Sequence, residues 1–277
     1  MPNTTIEVGL DATYGQIVQA QAADADILTT GRRAVNFRRG FNAVLMKPDA
    51  DAARVTPTPA IRAVYHYDDT FAGAEKFVNL LGDNKAIIDS GQTGAVVVAV
   101  MATADFIYIG TTDRVGGFRV DLDGTILNNN AATMTAQYSS PGGWATLTIG
   151  NDGTATGGAT LGLTIGNVTW TAPAAGLWVA KTLKELNVNH APETERLYWV
   201  RLITSATLDN VEIEQIMALH HTILASASGT ADGAGGFFEA STEYNWNIND
   251  EITGGFDIAS QHATNACDIR FTWLRRG

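Results

Sequence analysis

From about residue 95 onward, short apolar runs alternate with turn residues, and this spacing constrains the fold more than any other feature of the chain. Glycine, asparagine and aspartate stand between the runs, where tight hairpins need residues that accept positive φ. Strands this short, without helical runs between them, indicate antiparallel sheets. We therefore predict a mostly β fold, an antiparallel β-sandwich of jelly-roll-like arrangement. The predicted strands cover residues 95–102, 105–109, 118–122, 134–138, 144–149, 160–170, 197–203, 211–218, 237–244, 255–260 and 268–273.

The first hundred residues have a different texture and are predicted to form a mixed N-terminal region. Short helices are predicted at 16–25, which is rich in Ala and Gln, and at 70–81. Strands are predicted at 33–46 and 61–67. These patterns divide the chain into an N-terminal region that either attaches the protein or completes the sandwich (1–100), a β-sandwich module (101–224), and a C-terminal loop with hairpin strands (225–277).

The composition excludes several classes of protein. There are 18 basic and 29 acidic residues, and the resulting net charge of −11 repels phosphate, so direct nucleic-acid binding is not expected. Cys267 is the single cysteine, which excludes an intramolecular disulfide and a thiolate metal cluster. The N-terminus lacks the pattern of a signal peptide, and the longest apolar stretch, 95–104, is about half the ~20 residues that span a bilayer. We expect synthesis in a cytoplasm and no association with a membrane.

A basic segment interrupts this acidic chain. Four arginines surround one aromatic residue, and the set is Arg32, Arg33, Phe37, Arg38 and Arg39. Such a cluster is either a solvated face or a docking patch for an acidic partner surface. The second possibility makes this segment our candidate interaction site.

One motif favours an enzyme. Asp121-Leu122-Asp123-Gly124-Thr125 follows an apolar run and resembles the signature of haloacid-dehalogenase-like phosphatases, which implies Asp121 as the nucleophile, Asp123 as the acid/base and Mg²⁺ between them. That family requires a doubly wound parallel sheet, whereas short runs with glycine turns follow here. Asp-Gly also suits a hairpin turn. We therefore expect a turn, no cofactor and no catalytic residues.

The histidines and tryptophans allow structural and functional interpretations. His220 and His221 are neighbours and point in different directions on any regular element, so a shared metal ion is not expected. Four tryptophans could stack on sugars, which requires at least two of them to be exposed on one patch, or could fill a core. They are Trp144, Trp170, Trp178 and Trp199, and we predict that they belong to the core.

Several landmarks follow one another in order between residues 105 and 216. They are Ile107-Tyr108-Ile109-Gly110, Gly117-Phe118-Arg119-Val120, Gly142-Gly143-Trp144, Asn151-Asp152-Gly153, Val168-Thr169-Trp170, Trp178 and Tyr198-Trp199-Val200-Arg201. In this order they resemble a module of tailed-bacteriophage virion proteins, including capsid decoration and fibre components. Ser139-Ser140 departs from that pattern, because the family often keeps a second Trp there.

The resemblance implies a non-enzymatic structural component of a bacteriophage virion, with a capsid decoration or cement protein as the leading hypothesis. A receptor- or glycan-binding fibre domain is the alternative. The implied partners are other virion proteins, above all the major capsid protein, and further copies of the chain, with a trimer expected. The structural signature comprises Trp144, Trp170, Trp178, Tyr198, Trp199 and Arg201. Strand alternation predicts Tyr198 and Val200 on one face, and Trp199 and Arg201 on the other.

Overall fold

The computed structural model divides the chain into two compact units. One is formed by both ends of the chain, Met1–Thr58 and Thr222–Gly277, and the other is the central unit, Pro59–His221. The central unit therefore begins before the predicted module and includes the strand predicted at 61–67. The residues that the structure describes are 5–6, 10–11, 15–27, 32–38, 40–48, 53–82, 86–89, 96–98, 101–221, 236–238, 244–247, 253–260 and 267–276.

The described residues form strands with two short 3₁₀ helices, Gly73–Lys76 and Ala86–Ile88. None of their helices is long and apolar enough to cross a membrane. The strands are β1 (Thr5–Ile6), β2 (Leu10–Asp11), β3 (Gly15–Ile27), β4 (Arg32–Asn36), β5 (Ala43–Pro48), β6 (Ala53–Pro59), β7 (Ile61–Tyr67), β8 (Phe77–Asn79), β9 (Val96–Val98), β10 (Phe106–Thr111), β11 (Val115–Leu122), β12 (Met134–Ser140), β13 (Gly143–Leu147), β14 (Ile149–Asp152), β15 (Ile165–Trp170), β16 (Tyr198–Thr204), β17 (Val211–His220), β18 (Gly236–Phe238), β19 (Tyr244–Asn247), β20 (Thr253–Ser260) and β21 (Cys267–Arg276).

The central unit is an antiparallel β-sandwich, as the turn spacing predicts. Its six-stranded sheet has the order β13-β12-β16-β10-β7-β8, and its five-stranded sheet has the order β14-β15-β11-β17-β9. Both sheets contribute to one hydrophobic core, since Ile109 and Val200 of the first sheet belong to the same buried cluster as Phe118 and Val168 of the second. The mostly β, antiparallel sandwich fold is confirmed.

The other unit is built from strands at both ends of the chain. One sheet has the order β1-β3-β21-β5-β19 with β2 beside β3, and the other has the order β18-β6-β20-β4. Phe37, Phe256, Phe271 and Trp273 fill its core with Val44, Met46, Ala53, Val55, Ile258 and Ile269. The N-terminal and C-terminal strands β3 and β21 pair along nearly their whole length, from Ile17 opposite Arg276 to Ile27 opposite Cys267.

Several predicted elements are corrected by the structure. Residues 16–25 form part of strand β3 rather than a helix, because pairing with β21 satisfies backbone groups that local propensity would have placed in a helix. The single strand predicted at 33–46 is two strands, separated near Gly40, whose φ is 82°. The helix predicted at 70–81 is one turn of 3₁₀ helix followed by strand β8.

The remaining predicted strands are found with shifted ends. The region 144–149 holds β13 and β14, and in the region 160–170 the strand begins only at Ile165. The single strand predicted at 237–244 corresponds to β18 and β19, and the segment between them, 239–243, lies outside the described residues.

Candidate functional site: the outer aromatic face

The six-stranded sheet has two faces of different chemistry. In strand β10, Ile107 and Ile109 point into the sandwich core, so Phe106 and Tyr108 point to the opposite, outer side. The strand register carries this alternation to the neighbouring strands, because Tyr108 pairs with Arg201 of β16 and with Tyr65 of β7. Side chains spaced by two along each strand, together with those opposite them on the neighbouring strands, therefore lie on the outer side.

That outer side collects six aromatic rings and one arginine from five strands. We call this set the outer aromatic face, and it comprises Tyr65, Tyr67, Phe77, Phe106, Tyr108, Trp144 and Arg201. The rings form a continuous cluster, with centroid separations from 5.1 Å for Tyr67 and Phe77 to 6.4 Å for Tyr67 and Tyr108. Tyr108 is buried at the centre of the cluster, and the other members are only partly buried.

One half of the outer side is covered by the chain itself. Trp199 is fully buried there with Leu183, Leu186 and Leu197, which lie in or beside the segment between β15 and β16. Its indole Nε1 donates a 2.7 Å hydrogen bond to the carbonyl of Lys181, which fixes the ring beneath that segment. The covered half therefore resembles an ordinary small core.

A glycine makes room for this cover. Gly110 of β10 lies opposite Trp199, and a Cβ built on it would lie 2.6 Å from Leu197 Cδ1 and 2.9 Å from the Trp199 ring. Real carbon contacts do not reach such distances, so any side chain at this position would displace the ring or the cover.

Arg201 is held between two rings of the open half. Its guanidinium carbon lies 4.8 Å from the centroid of Phe106 and 4.6 Å from that of Trp144. Its Nε donates a 2.6 Å hydrogen bond to Gln137 Oε1 on the neighbouring strand. The two ring contacts favour arginine over lysine at this position, because the guanidinium is planar and stacks on aromatic faces.

The alternation predicted for the Tyr-Trp-Val-Arg block is confirmed. Tyr198 and Val200 pack on the sandwich core, whereas Trp199 and Arg201 lie on the outer side. From the sequence, Arg201 could lie along the neighbourhood of Trp199 or pair with a carboxylate on an adjacent strand, and among the described residues neither contact is found. The nearest strands present Phe106, Gln137 and Trp144 instead, and these pairings could not be read from the sequence of one strand.

Burial affects the ionisation of the tyrosines of this face. It raises the pKa of Tyr65 and of Tyr108, whose hydroxyl is also close to Arg201. Both phenols are therefore neutral at physiological pH and do not neutralise the guanidinium. At the edge of the face, Lys76 lies 5.3 Å from the Tyr67 centroid and pairs with Asp69 at 2.6 Å. This lysine lowers the pKa of Asp69, first through their hydrogen bond.

The predicted tryptophan core is confirmed for three residues. Trp170, Trp178 and Trp199 are buried, and Trp144 is partly buried beside Arg201. The glycan-binding alternative required at least two of these four rings to be exposed on one patch, and this requirement is not met. On the outer aromatic face, Tyr65, Tyr67, Phe77 and Phe106 are also partly accessible, and sequence reasoning missed them.

The basic segment predicted as an interaction site is only partly described. Phe37 is 5% exposed and packs edge-on against Phe256 at 4.9 Å, so its ring belongs to a core and not to a contact surface. Arg38 lies over the Phe41 ring at 5.7 Å. The backbone of Arg32 and Arg33 pairs with β20, and Arg39 lies outside the described residues. A docking role for these arginines stays a prediction.

The phosphatase-like residues occupy structural positions. Asp121 Oδ1 lies 3.1 Å from Nε of Arg119, two residues away on the same strand. Asp123 accepts hydrogen bonds from the backbone and the hydroxyl of Thr125, and these bonds lower its pKa. This is the Asx-type turn expected of Asp-Gly. Among the described residues, no group of three or more His, Cys, Asp or Glu side chains is arranged to hold a metal ion.

Three of the four histidines of the central unit lie at two sites, and the fourth, His190, is exposed. The rings of His220 and His221 stack at 4.5 Å. His66 is buried on the inner side of β7, and burial lowers its pKa against the opposing effect of Asp105 and Asp68. His66 Nε2 is buried without a hydrogen-bond partner among the described residues.

Comparison with known proteins gives no further assignment. No protein-family model matches the chain, and neither a curated protein nor a solved structure matches it.

Proposed function

We propose that this chain is a non-enzymatic structural component of a bacteriophage virion that docks on another particle protein through the outer aromatic face. The leading assignment is a decoration or cement protein on the capsid, bound to the major capsid protein after synthesis in the host cytoplasm. The observation that carries the proposal is the concentration of half-buried aromatic rings around Arg201 on one side of a rigid sheet.

The composition of this face supports docking. Tryptophan, tyrosine, phenylalanine and arginine are enriched in protein interfaces, and the few residues that dominate the binding energy there are most often Trp, Tyr or Arg. Five of the rings are only partly buried, so a partner surface would remove further apolar area from water. The face lies on paired strands rather than on loops, and little conformational entropy is lost when it binds.

The ordered landmarks that resemble a virion module also support the proposal. In the fold they belong to a single sandwich, and the Tyr-Trp-Val-Arg block lies in β16 between β10 and β12. The block supplies both a core residue, Val200, and the central charge of the face, Arg201.

A flat sugar platform is less well supported. Stacking on sugars needs ring faces that are open and roughly coplanar. Here neighbouring rings are inclined to one another, by 85° for Tyr65 and Phe77 and by 43° for Tyr67 and Phe106. One face each of Phe106 and Trp144 is occupied by Arg201. We therefore favour a protein partner over a glycan.

The proposal is tested by locating the chain in purified phage particles. We expect mass spectrometry to detect it in stoichiometric amounts, and electron microscopy of particles with and without the gene to show its density on the capsid. Density on tails alone would overturn the capsid assignment and leave a virion role standing. Absence from purified particles would overturn the proposed function. Three copies around each local three-fold axis would support the expected trimer.

A further inference from the structure

We infer that the docking partner is a protein surface that presents an aspartate or glutamate carboxylate to Arg201. This inference rests on the proposed function, because it specifies the chemistry of the partner at the same face. It assigns Arg201 as the residue that recognises the partner, with Phe106, Trp144 and Gln137 as the side chains that hold it in place.

The charge pairing of the central unit sets Arg201 apart. Of the five arginines between Pro59 and His221, four lie within 4.0 Å of a carboxylate oxygen: Arg62 with Glu195, Arg114 with Asp113, Arg119 with Asp121, and Arg196 with Glu185. Among the described residues, Arg201 has no such carboxylate, although the whole chain carries 29 acidic residues. A cation without a counter-charge in an acidic chain is electrostatically complementary to an external anion.

The surroundings of Arg201 strengthen an interaction with such an anion. A partly buried guanidinium between two rings is less hydrated than an exposed one, and a charge pair formed there is less screened by salt. The guanidinium has five N–H donors; the hydrogen bond to Gln137 uses the one on Nε, and the Tyr108 hydroxyl lies within hydrogen-bond reach of the guanidinium. A carboxylate matches the geometry of the remaining donors.

The neighbouring rings favour a protein as the source of this carboxylate. The inclined rings of Tyr65, Tyr67 and Phe77 leave an uneven apolar surface, which side chains of a folded partner can fill and a planar sugar cannot. The net charge of −11 acts against a phosphate polymer as the partner. An acidic side chain within an apolar protein patch can pair with the charge of Arg201 and can cover the aromatic rings around it.

The test uses the full-length chain, labelled with a fluorophore, and particles of its phage assembled without it. We compare binding isotherms for the parent, Arg201→Gln, Arg201→Lys and the control Arg196→Gln, which removes the same formal charge from an exposed ion pair. Loss of one partner of a desolvated charge pair weakens binding by roughly 30-fold or more, which we expect for Arg201→Gln. Arg201→Lys should be intermediate, and Arg196→Gln should bind within about threefold of the parent. Thermal unfolding of each variant confirms that it is folded.

A second arm tests the carboxylate itself. Particles are treated with carbodiimide and ethanolamine, which converts accessible carboxylates into neutral amides. We expect the treatment to reduce binding of the parent to the level of Arg201→Gln and to leave Arg201→Gln unchanged, because both changes remove the same interaction.

Each other outcome contradicts a specific part of the account. If the parent binds particles and Arg201→Gln binds equally well, the inference is wrong and the proposed function stands. Release of the parent by an acidic polysaccharide from the host would identify a glycan and overturn the protein partner. A parent oligomer that Arg201→Gln dissociates, without any change in particle binding, would identify a second copy as the occupant. If the parent does not bind particles, both the proposed function and the inference fail.

Discussion

The two faces of the six-stranded sheet differ in composition although they share the same strands. The inner face is mainly aliphatic and packs in the sandwich core, with Val64, Ile109 and Val200 at or below 1% exposure and Tyr138 and Tyr198 as its aromatic members. The outer face is aromatic, carries a charge and is only half covered. An aliphatic surface packs well against another sheet, whereas aromatic rings around an arginine are suited to reversible binding of a partner protein. This difference predicts that stability depends mainly on the inner face, and the proposed docking on the outer face.

The largest effect on stability is expected from one of two alanine substitutions on strand β10, which remove a side chain from the inner and from the outer face. Ile109→Ala removes a buried inner side chain and should lower the free energy of unfolding by about 2–5 kcal/mol. Phe106→Ala removes a larger side chain from the open outer face and should cost less, about 1–2 kcal/mol, because the ring is only partly buried. Urea unfolding followed by tryptophan fluorescence measures both. If Phe106→Ala costs as much as Ile109→Ala, the two faces contribute alike to stability and the comparison fails.

The covered half of the outer face is tested by Gly110→Ala. The added methyl group would overlap Leu197 and the Trp199 ring, and overpacking of this kind costs about 1–3 kcal/mol. Gly142→Ala is the matched control, since a Cβ there meets nothing within 4 Å. The same unfolding measurement compares the two variants. A neutral Gly110→Ala would mean that the cover over Trp199 is loose, and that the covered half is not a small core.

The sequence predicted which residues of a strand share a face better than it predicted which strands lie next to one another. Alternation within one strand placed Trp199 and Arg201 together, because a period of two is a local property. Tyr65 and Tyr67, like Phe106 and Tyr108, are also spaced by two, and this signal could have identified the outer face earlier. Which strands meet is decided by pairing between distant segments, such as β7 with β10. Only the fold reveals that Arg201 lies between Phe106 and Trp144.

Non-local pairing also explains the error at residues 16–25. Alanine and glutamine favour a helix locally, but β3 pairs with the C-terminal strand β21, more than two hundred residues away, and this pairing overrides the preference. In contrast, strand β7 was predicted with its bounds correct, since its alternation and its flanking turn residues agree with its tertiary environment.

A smaller effect on stability is expected from pH, because one titratable residue, His66, is buried on the inner side of the sheet. Burial lowers the pKa of His66 in the folded chain below its ordinary value near 6.5, so the unfolded chain binds the proton more readily. His66 therefore favours folding above pH ~6.5, and stability should fall as the pH drops through that value. Burial also lowers the pKa of His221, which acts in the same direction. Urea midpoints measured across this range should decline for the parent and decline less for His66→Asn. An equal decline in both would contradict a role for His66.

The smallest effect on stability is expected for Arg201→Gln. The variant loses two cation–π contacts and one hydrogen bond at a partly exposed site, and we expect a change within about 1 kcal/mol. The same substitution is expected to cause the largest loss in particle binding. A destabilisation comparable to that of Ile109→Ala would show that Arg201 supports the fold, and the separation of stability from binding would be lost.

The most direct test of the docking face is hydroxyl-radical footprinting of the chain, free and bound to its particle. The account predicts that oxidation of Tyr65, Tyr67, Phe77, Phe106 and Trp144 falls on binding, since a partner would cover the half-exposed rings. Ile165, 50% exposed on the five-stranded sheet, and Leu177, 55% exposed, serve as internal controls that should keep their rates. Unchanged oxidation of the outer aromatic face, together with protection of Ile165 and Leu177, would contradict the account and move the docking surface elsewhere.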